Sequence, residues 1–173
     1  QFGVFVPLTE KETAQITEKG VTLQMDFSLD FHLGQSTFRV YQARESVDLF
    51  VPAEGEEIPA QGEILLEQHY AEKHELQLGD IFIVGGKEFT VAGIGSTPDY
   101  DAAFEKTSDT TVDSNLFGFG FVTAEDYEAL KAGGQNLRTE DYTYTYLLND
   151  TMTDQELKEL LQSFELDRSK VTD

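Results

Sequence analysis

The sequence predicts an α+β fold built on antiparallel hairpins. Three observations carry this. From Val21 to Leu33 every second residue is apolar, which is the period of a half-buried strand. Thr9-x-x-Glu12 and Thr153-x-x-Glu156 have the spacing of capping boxes that open helices. Strands and helices interleave without the regular βαβ alternation of a parallel sheet.

Taken in order, Phe2 to Val6 is a short apolar run, a strand or a tether into the fold, ended by Pro7. The first helix starts after Thr9, runs to about Lys19 and stops at Gly20. Ile16 is its only large apolar residue, so the helix is expected to lie mostly exposed. Val21, Leu23, Met25, Phe27, Leu29, Phe31 and Leu33 then read as one face of one long strand. Gly34-Gln35 fits a type II′ turn with glycine first, which pairs Phe31 with Phe38 and Leu29 with Val40. Glu45 to Gln61 carries Pro52, Gly55 and Pro59, reads as irregular, and is the expected boundary between lobes.

Gly62 to Tyr100 is the most structured stretch. Ile64 to Leu66 is an apolar run, Glu67 to His74 favours helix, and Gly79-Asp80 breaks the chain before two strands, Ile81–Val84 and Glu88–Ile94. Two clues to their register disagree. Turn chemistry favours a two-residue loop of Gly85 and Gly86, with Ile83 opposite Glu88. Burying both isoleucines favours a three-residue loop that includes Lys87, with Ile83 opposite Phe89 and Ile81 opposite Val91. Register follows the buried face, so the longer loop is expected.

Gly95 to Asn115 is poor in apolar residues and reads as a mobile loop. In Leu116 to Val122 the phenylalanines 117, 119 and 121 share one face, while Gly118 and Gly120 leave the other bare for a close approach. Thr123 caps a helix over Ala124–Lys131 that ends at Gly133-Gly134. Tyr142, Tyr144, Tyr146 and Leu148 alternate as a strand. Leu157, Leu160, Leu161 and Phe164 place an apolar stripe on the last helix.

Composition bounds the function. A formal charge of −21 removes the electrostatic basis of nucleic-acid binding. The absence of cysteine excludes disulfides, thiolate nucleophiles and Cys-based zinc sites. No run of about 20 apolar residues, the length a spanning helix needs, is present. The chain starts at Gln1, with no signal peptide, and is expected to be an excised or processed segment.

Residues able to carry chemistry do not assemble into a motif. His69 and His74 do not share a helix face, His32 falls on the polar face of its strand, and H-E-x-x-H is absent. Asp99, Asp101, Asp109 and Asp113 could offer oxygens to Ca²⁺, but no EF-hand spacing is present. Gly85-Gly86-Lys87, Gly93-Ile94-Gly95 and Gly118-Phe119-Gly120 match neither a phosphate loop nor G-x-G-x-x-G, and Ser96 lacks G-x-S-x-G. The Tyr142/Tyr144/Tyr146 row fits either a ligand platform or a packed core, and the core is expected. The expectation is therefore a non-enzymatic domain with no catalytic residue, no cofactor and no metal.

The stretch GEILLEQHYAEKHELQLGDIFIVGGKEFTVAGIGSTPDY resembles the extracellular domain of FtsX-like (MacB-like) ABC transporter permeases. The matching residues are Gly62, Glu63, Ile64, Ala71, Gly79, Asp80, Phe89, Val91, Gly93, Pro98, Asp99 and Tyr100, with Glu54-Gly55 upstream. The resemblance implies a MacB-like periplasmic core fold. Residues 1–61 and 135–173 would form a membrane-proximal α+β lobe, with 62–134 inserted as a β-rich lobe. It implies a domain at the extracellular face of the cell membrane, flanked by transmembrane helices. Mechanotransmission would reach it from a separate cognate ABC ATPase through a permease dimer. A peptide, lipoprotein or protein would be the cargo or partner, and the charge favours a basic one. The alternative is a free-standing secreted acidic binding module.

Overall fold

A computed structural model describes residues 1–99, 116–137 and 140–164. They divide into two units, residues 1–27 with 141–173 and residues 28–140. The expected boundaries at 61 and 134 therefore differ from where the chain divides. Residues 28–61 supply three strands to the larger unit's sheet, including the stretch read as an irregular boundary. Among the described residues no helix is long and apolar enough to cross a membrane.

The smaller unit is a three-stranded antiparallel sheet, β1 (Phe2–Val4), β10 (Tyr142–Leu147) and β2 (Thr22–Met25), with β10 in the centre. The helices α1 (Glu10–Thr17) and α4 (Asp154–Ser163) both open with complete capping boxes, as the sequence predicts. Ile16 is fully buried against Leu8, Val21, Tyr144 and Leu157, so one residue anchors an otherwise exposed α1. Phe2, Tyr146, Leu160, Leu161 and Phe164 pack around this core.

The long alternating strand is not one strand. It breaks at Asp26-Phe27 into β2 and β3 (Ser28–Leu33), which lie in different sheets. The cause is local. The buried Asp26 carboxylate accepts from Gln24 and Thr145, and its N–H donates to the Thr143 carbonyl. Alternation reports which side is apolar. It does not report burial: Met25, on the apolar face, is 57% exposed, while Gln24 and Asp26, on the polar face, are buried.

The larger unit holds a mixed seven-stranded sheet. Its order is β3, β4 (Ser36–Gln42), β9 (Phe117–Val122), β6 (Glu63–Glu67), β8 (Lys87–Ser96) and β5 (Val51–Gly55), with β7 (Ile81–Val84) also paired to β8. The β3–β4 hairpin has the expected register, Phe31 opposite Phe38 and Leu29 opposite Val40, with Gly34 at φ +64. Two pairs, β4–β9 and β6–β8, are parallel, so the fold is α+β but not purely antiparallel.

The β9 strand is central and buried on both faces, as its composition requires. Phe117, Phe119 and Phe121 pack with Tyr41, Phe50 and Leu65 on one side. Each such phenylalanine, fully buried, contributes on the order of 2–3 kcal/mol. On the other side a Cβ at Gly118 would lie 2.1 Å from the Tyr70 ring, and one at Gly120 would lie 2.6 Å from the Leu65 carbonyl. Gly118 thus admits Tyr70 of α2 (Gln68–Lys73), Gly120 admits the β6 backbone and the Phe38 ring, and Leu130 of α3 (Ala124–Gly133) is buried in the same unit.

The hairpin β7–β8 corrects the expected register. Its loop is two residues, with Val84 opposite Lys87, Ile83 opposite Glu88 and Phe82 opposite Phe89. Gly85 and Gly86 both take positive φ, +56 and +74. Turn chemistry prevails because Phe82 and Val84, not the isoleucines, face the core beside Phe89 and Val91. Ile81 and Ile83 are left 58% and 55% exposed.

Candidate functional site

The residues considered for chemistry are dispersed, and most are explained by packing. His32 is exposed opposite Thr37. The His69 Nδ1 lies 2.8 Å from the Glu67 carboxylate, which also caps α2 by accepting from the His69 and Tyr70 amides. His74 caps the other end of α2 and stacks on Tyr70 at 4.1 Å. Among the described residues no three His, Cys, Asp or Glu gather as metal ligands. Asp101, Asp109 and Asp113 lie outside the described residues, as does most of the expected loop that holds them.

The tyrosine row packs rather than forming a platform, with Tyr144 in the core and Tyr142 and Tyr146 half-buried. Tyr144 is buried, stacks on Phe2 at 5.3 Å and accepts from the Leu8 amide. Tyr146 donates to Asp154, and this bond raises its pKa above the ordinary phenol value. Burial raises the Tyr70 phenol likewise, its contact with Ser36 opposing only part of the effect. Gly93 and Gly95 let β5 approach β8, since a Cβ at either would meet a backbone carbonyl at 2.2 Å. Ser96 closes β8 opposite Val51, and Gly85-Gly86 is the hairpin turn.

A groove of about 460 Å³ lies in the larger unit. It lies where the end of β4, the loop around Leu49 and the turn after β5 meet the start of α3. Its apolar surface comes from Leu49, Phe50, Ile58 and Pro59, with Ile58 70% exposed. The carboxylates of Glu45 and Glu57 stand exposed on its rim.

Arg44 reaches the groove but is already committed. Its side chain is 3% exposed, donates to both Asp99 oxygens and to the Asp48 carbonyl, and lies over the rings of Tyr41 and Phe121. The Thr123 hydroxyl is likewise engaged with Asp126. An apolar base with an acidic rim suits an apolar side chain next to a cation. Sequence reasoning missed Leu49 and Ile58. Their signal was two large apolar residues in a Pro/Gly-rich stretch with no strand period to bury them.

The residues that carry the sequence resemblance converge on one substructure. Gly55 pairs with Gly93, where a Cβ on Gly55 would lie 2.2 Å from the Ala92 carbonyl. Ile64 pairs with Val91. The amide of Gly62, at φ +78, donates to the buried Asp126. Gly79, at φ +86, donates to the Val91 carbonyl, and the Asp80 carboxylate accepts from Gln77. Ala71 and Phe89 are buried, and Asp99 holds Arg44.

No protein-family model matches the chain, and no curated protein matches it. Among solved structures, it is similar to the periplasmic region of MacB from Actinobacillus actinomycetemcomitans, at 12% identity and a TM-score of 0.46, over 90% of this chain and 72% of that one. It is also similar to the extracellular domain of the noncanonic ABC-type transporter YknZ from Gram-positive bacteria, at 12% identity and a TM-score of 0.39, over 88% of this chain and 78% of that one.

Proposed function

We propose that the chain is the non-enzymatic extracellular domain of an ABC transporter permease. One observation carries the reading. The described residues of the FtsX-like signature supply turns, close approaches and core contacts of β5, β6, α2, β7 and β8, while Gly62 also bonds Asp126 of α3 and Asp99 holds Arg44. A separate cytoplasmic ATPase then supplies the energy, and a permease dimer relays it to this domain. Outside the membrane the acidic groove at Leu49 and Ile58 receives an apolar, basic segment of a cargo or partner protein.

The parent reading frame on both sides of residues 1 and 173 tests the assignment. Apolar stretches of about 20 residues on both flanks are expected. A cleavable signal before the domain, with no spanning stretch on either side, overturns the permease reading in favour of a secreted binding module.

A further inference from the structure

The edge strand β7 is built to be extended. Among the described residues it pairs only with β8. The two-residue turn fixes which of its backbone groups are free. Val84–Lys87 and Phe82–Phe89 are the hydrogen-bonded pairs that follow such a turn, so Ile81 and Ile83 occupy the alternate positions. Their N–H and C=O groups point away from β8, toward the open edge. Their side chains are more than half exposed. Edge strands are ordinarily protected by proline, lysine or a bulge. The neighbouring β5 edge has two such devices, Pro52 and a register shift between Pro52 and Glu54. Within Ile-Phe-Ile-Val of β7 there is none; the bulge at Gly79-Asp80, both of which bond Val91, lies before it.

We propose that β7 is a strand-addition site for an extended, cationic segment of a partner protein, with apolar residues at alternate positions. Outward backbone groups supply the ladder, and Ile81 and Ile83 receive the apolar side chains. Charge selects the occupant. Asp80 and Glu88 stand exposed beside this edge, on a chain of net charge −21. A second copy pairing through β7 would bring the same carboxylates and the same net charge against them. The inference does not depend on the transporter reading or on the groove.

The test is an amide NMR titration of the whole 173-residue chain with a blocked hexapeptide of alternating valine and lysine. Saturable shifts centred on Ile81 and Ile83 are expected, with slowed hydrogen exchange at those two amides. Ile83→Pro deletes an outward donor and leaves the β7–β8 ladder intact, so it should weaken binding at least about tenfold. Ile83→Thr keeps the donor and the strand but loses apolar contact, so it should weaken binding by about threefold or more. The same peptide with alternate residues N-methylated should not bind. Shifts that map elsewhere, or an Ile83→Pro protein that is folded and binds undiminished, overturn the proposal. So does protection of both amides by concentration-dependent dimerisation without peptide, which would make a second copy the occupant.

Discussion

Arg44 and Asp99 close a bidentate ion pair across 55 residues of chain, at 2.7 and 2.9 Å. It ties the segment after β4 to the segment after β8, beside the groove. The guanidinium is nearly out of water, whereas the carboxylate is 19% exposed.

That asymmetry predicts an asymmetric mutational cost. Asp99→Ala strands a buried cation and should destabilise the chain by about 3 kcal/mol, the low end for breaking a buried pair. Arg44→Met should cost less, because methionine keeps contact with Tyr41 and Phe121 and the freed carboxylate can hydrate. Urea titrations of both variants check this. Equal costs would mean that the pair is not limited by desolvation of the arginine.

Two glycines should respond oppositely to alanine. Gly118→Ala places a methyl 2.1 Å from the Tyr70 ring, beneath a strand with no room to move, and should cost about 3 kcal/mol or more. Gly133→Ala meets nothing within 4 Å in the last turn of α3 and should stabilise by up to about 1 kcal/mol. Thermal unfolding of the two variants reads both signs.

These positions show what was legible in the sequence. Gly118 and Gly120 were readable as a bare face because they alternate with phenylalanine, and local chemistry also exposed both capping boxes and the Gly34 turn. The Asp26 crease was hidden, since its cause is Thr145, far along the chain. The parallel pairs β4–β9 and β6–β8 were hidden for the same reason. Ile81 and Ile83 were misassigned because the pattern Ile-Phe-Ile-Val offers two apolar faces, and only tertiary contacts say which one is buried. The groove needs three distant segments to meet, and no local pattern announces that.

Acid should loosen the start of α4. Hydrogen bonds from the Thr153 amide and hydroxyl hold the Glu156 carboxyl below its ordinary value of 4.5. A depressed acid contributes stability above the unfolded value and loses it as pH falls through the folded one. Carboxyl NMR should therefore place the Glu156 midpoint below 4.5, with the start of α4 fraying over the same range. Glu156→Gln should remove that part of the pH dependence. A midpoint at or above 4.5 contradicts the capping-box account.

Alkali should act on Tyr70 in the opposite sense. Burial raises its phenol above 10.0, so its contribution is complete below that value and is lost as pH rises through the higher folded value. Absorbance of phenolate should show Tyr70 ionising only as the larger unit unfolds. Tyr70→Phe should reduce that late phase by one tyrosine at a small cost in stability. A phase unchanged by Tyr70→Phe would assign it to another tyrosine.

The central place of β10 has a consequence for timing. Among the described residues β1 and β2 do not pair with each other; each pairs with β10, which leaves the ribosome more than a hundred residues later. Until then α1 has only part of its core, because Tyr144 and Leu157 have not yet been synthesised. Residues 28–140 contain all the strands of their own sheet and can fold on emerging. These two strands therefore wait, unpaired, for β10. The period of greatest risk falls between the synthesis of β2 and that of β10, when chaperones or an early hydrophobic partner would find β1 and β2 open.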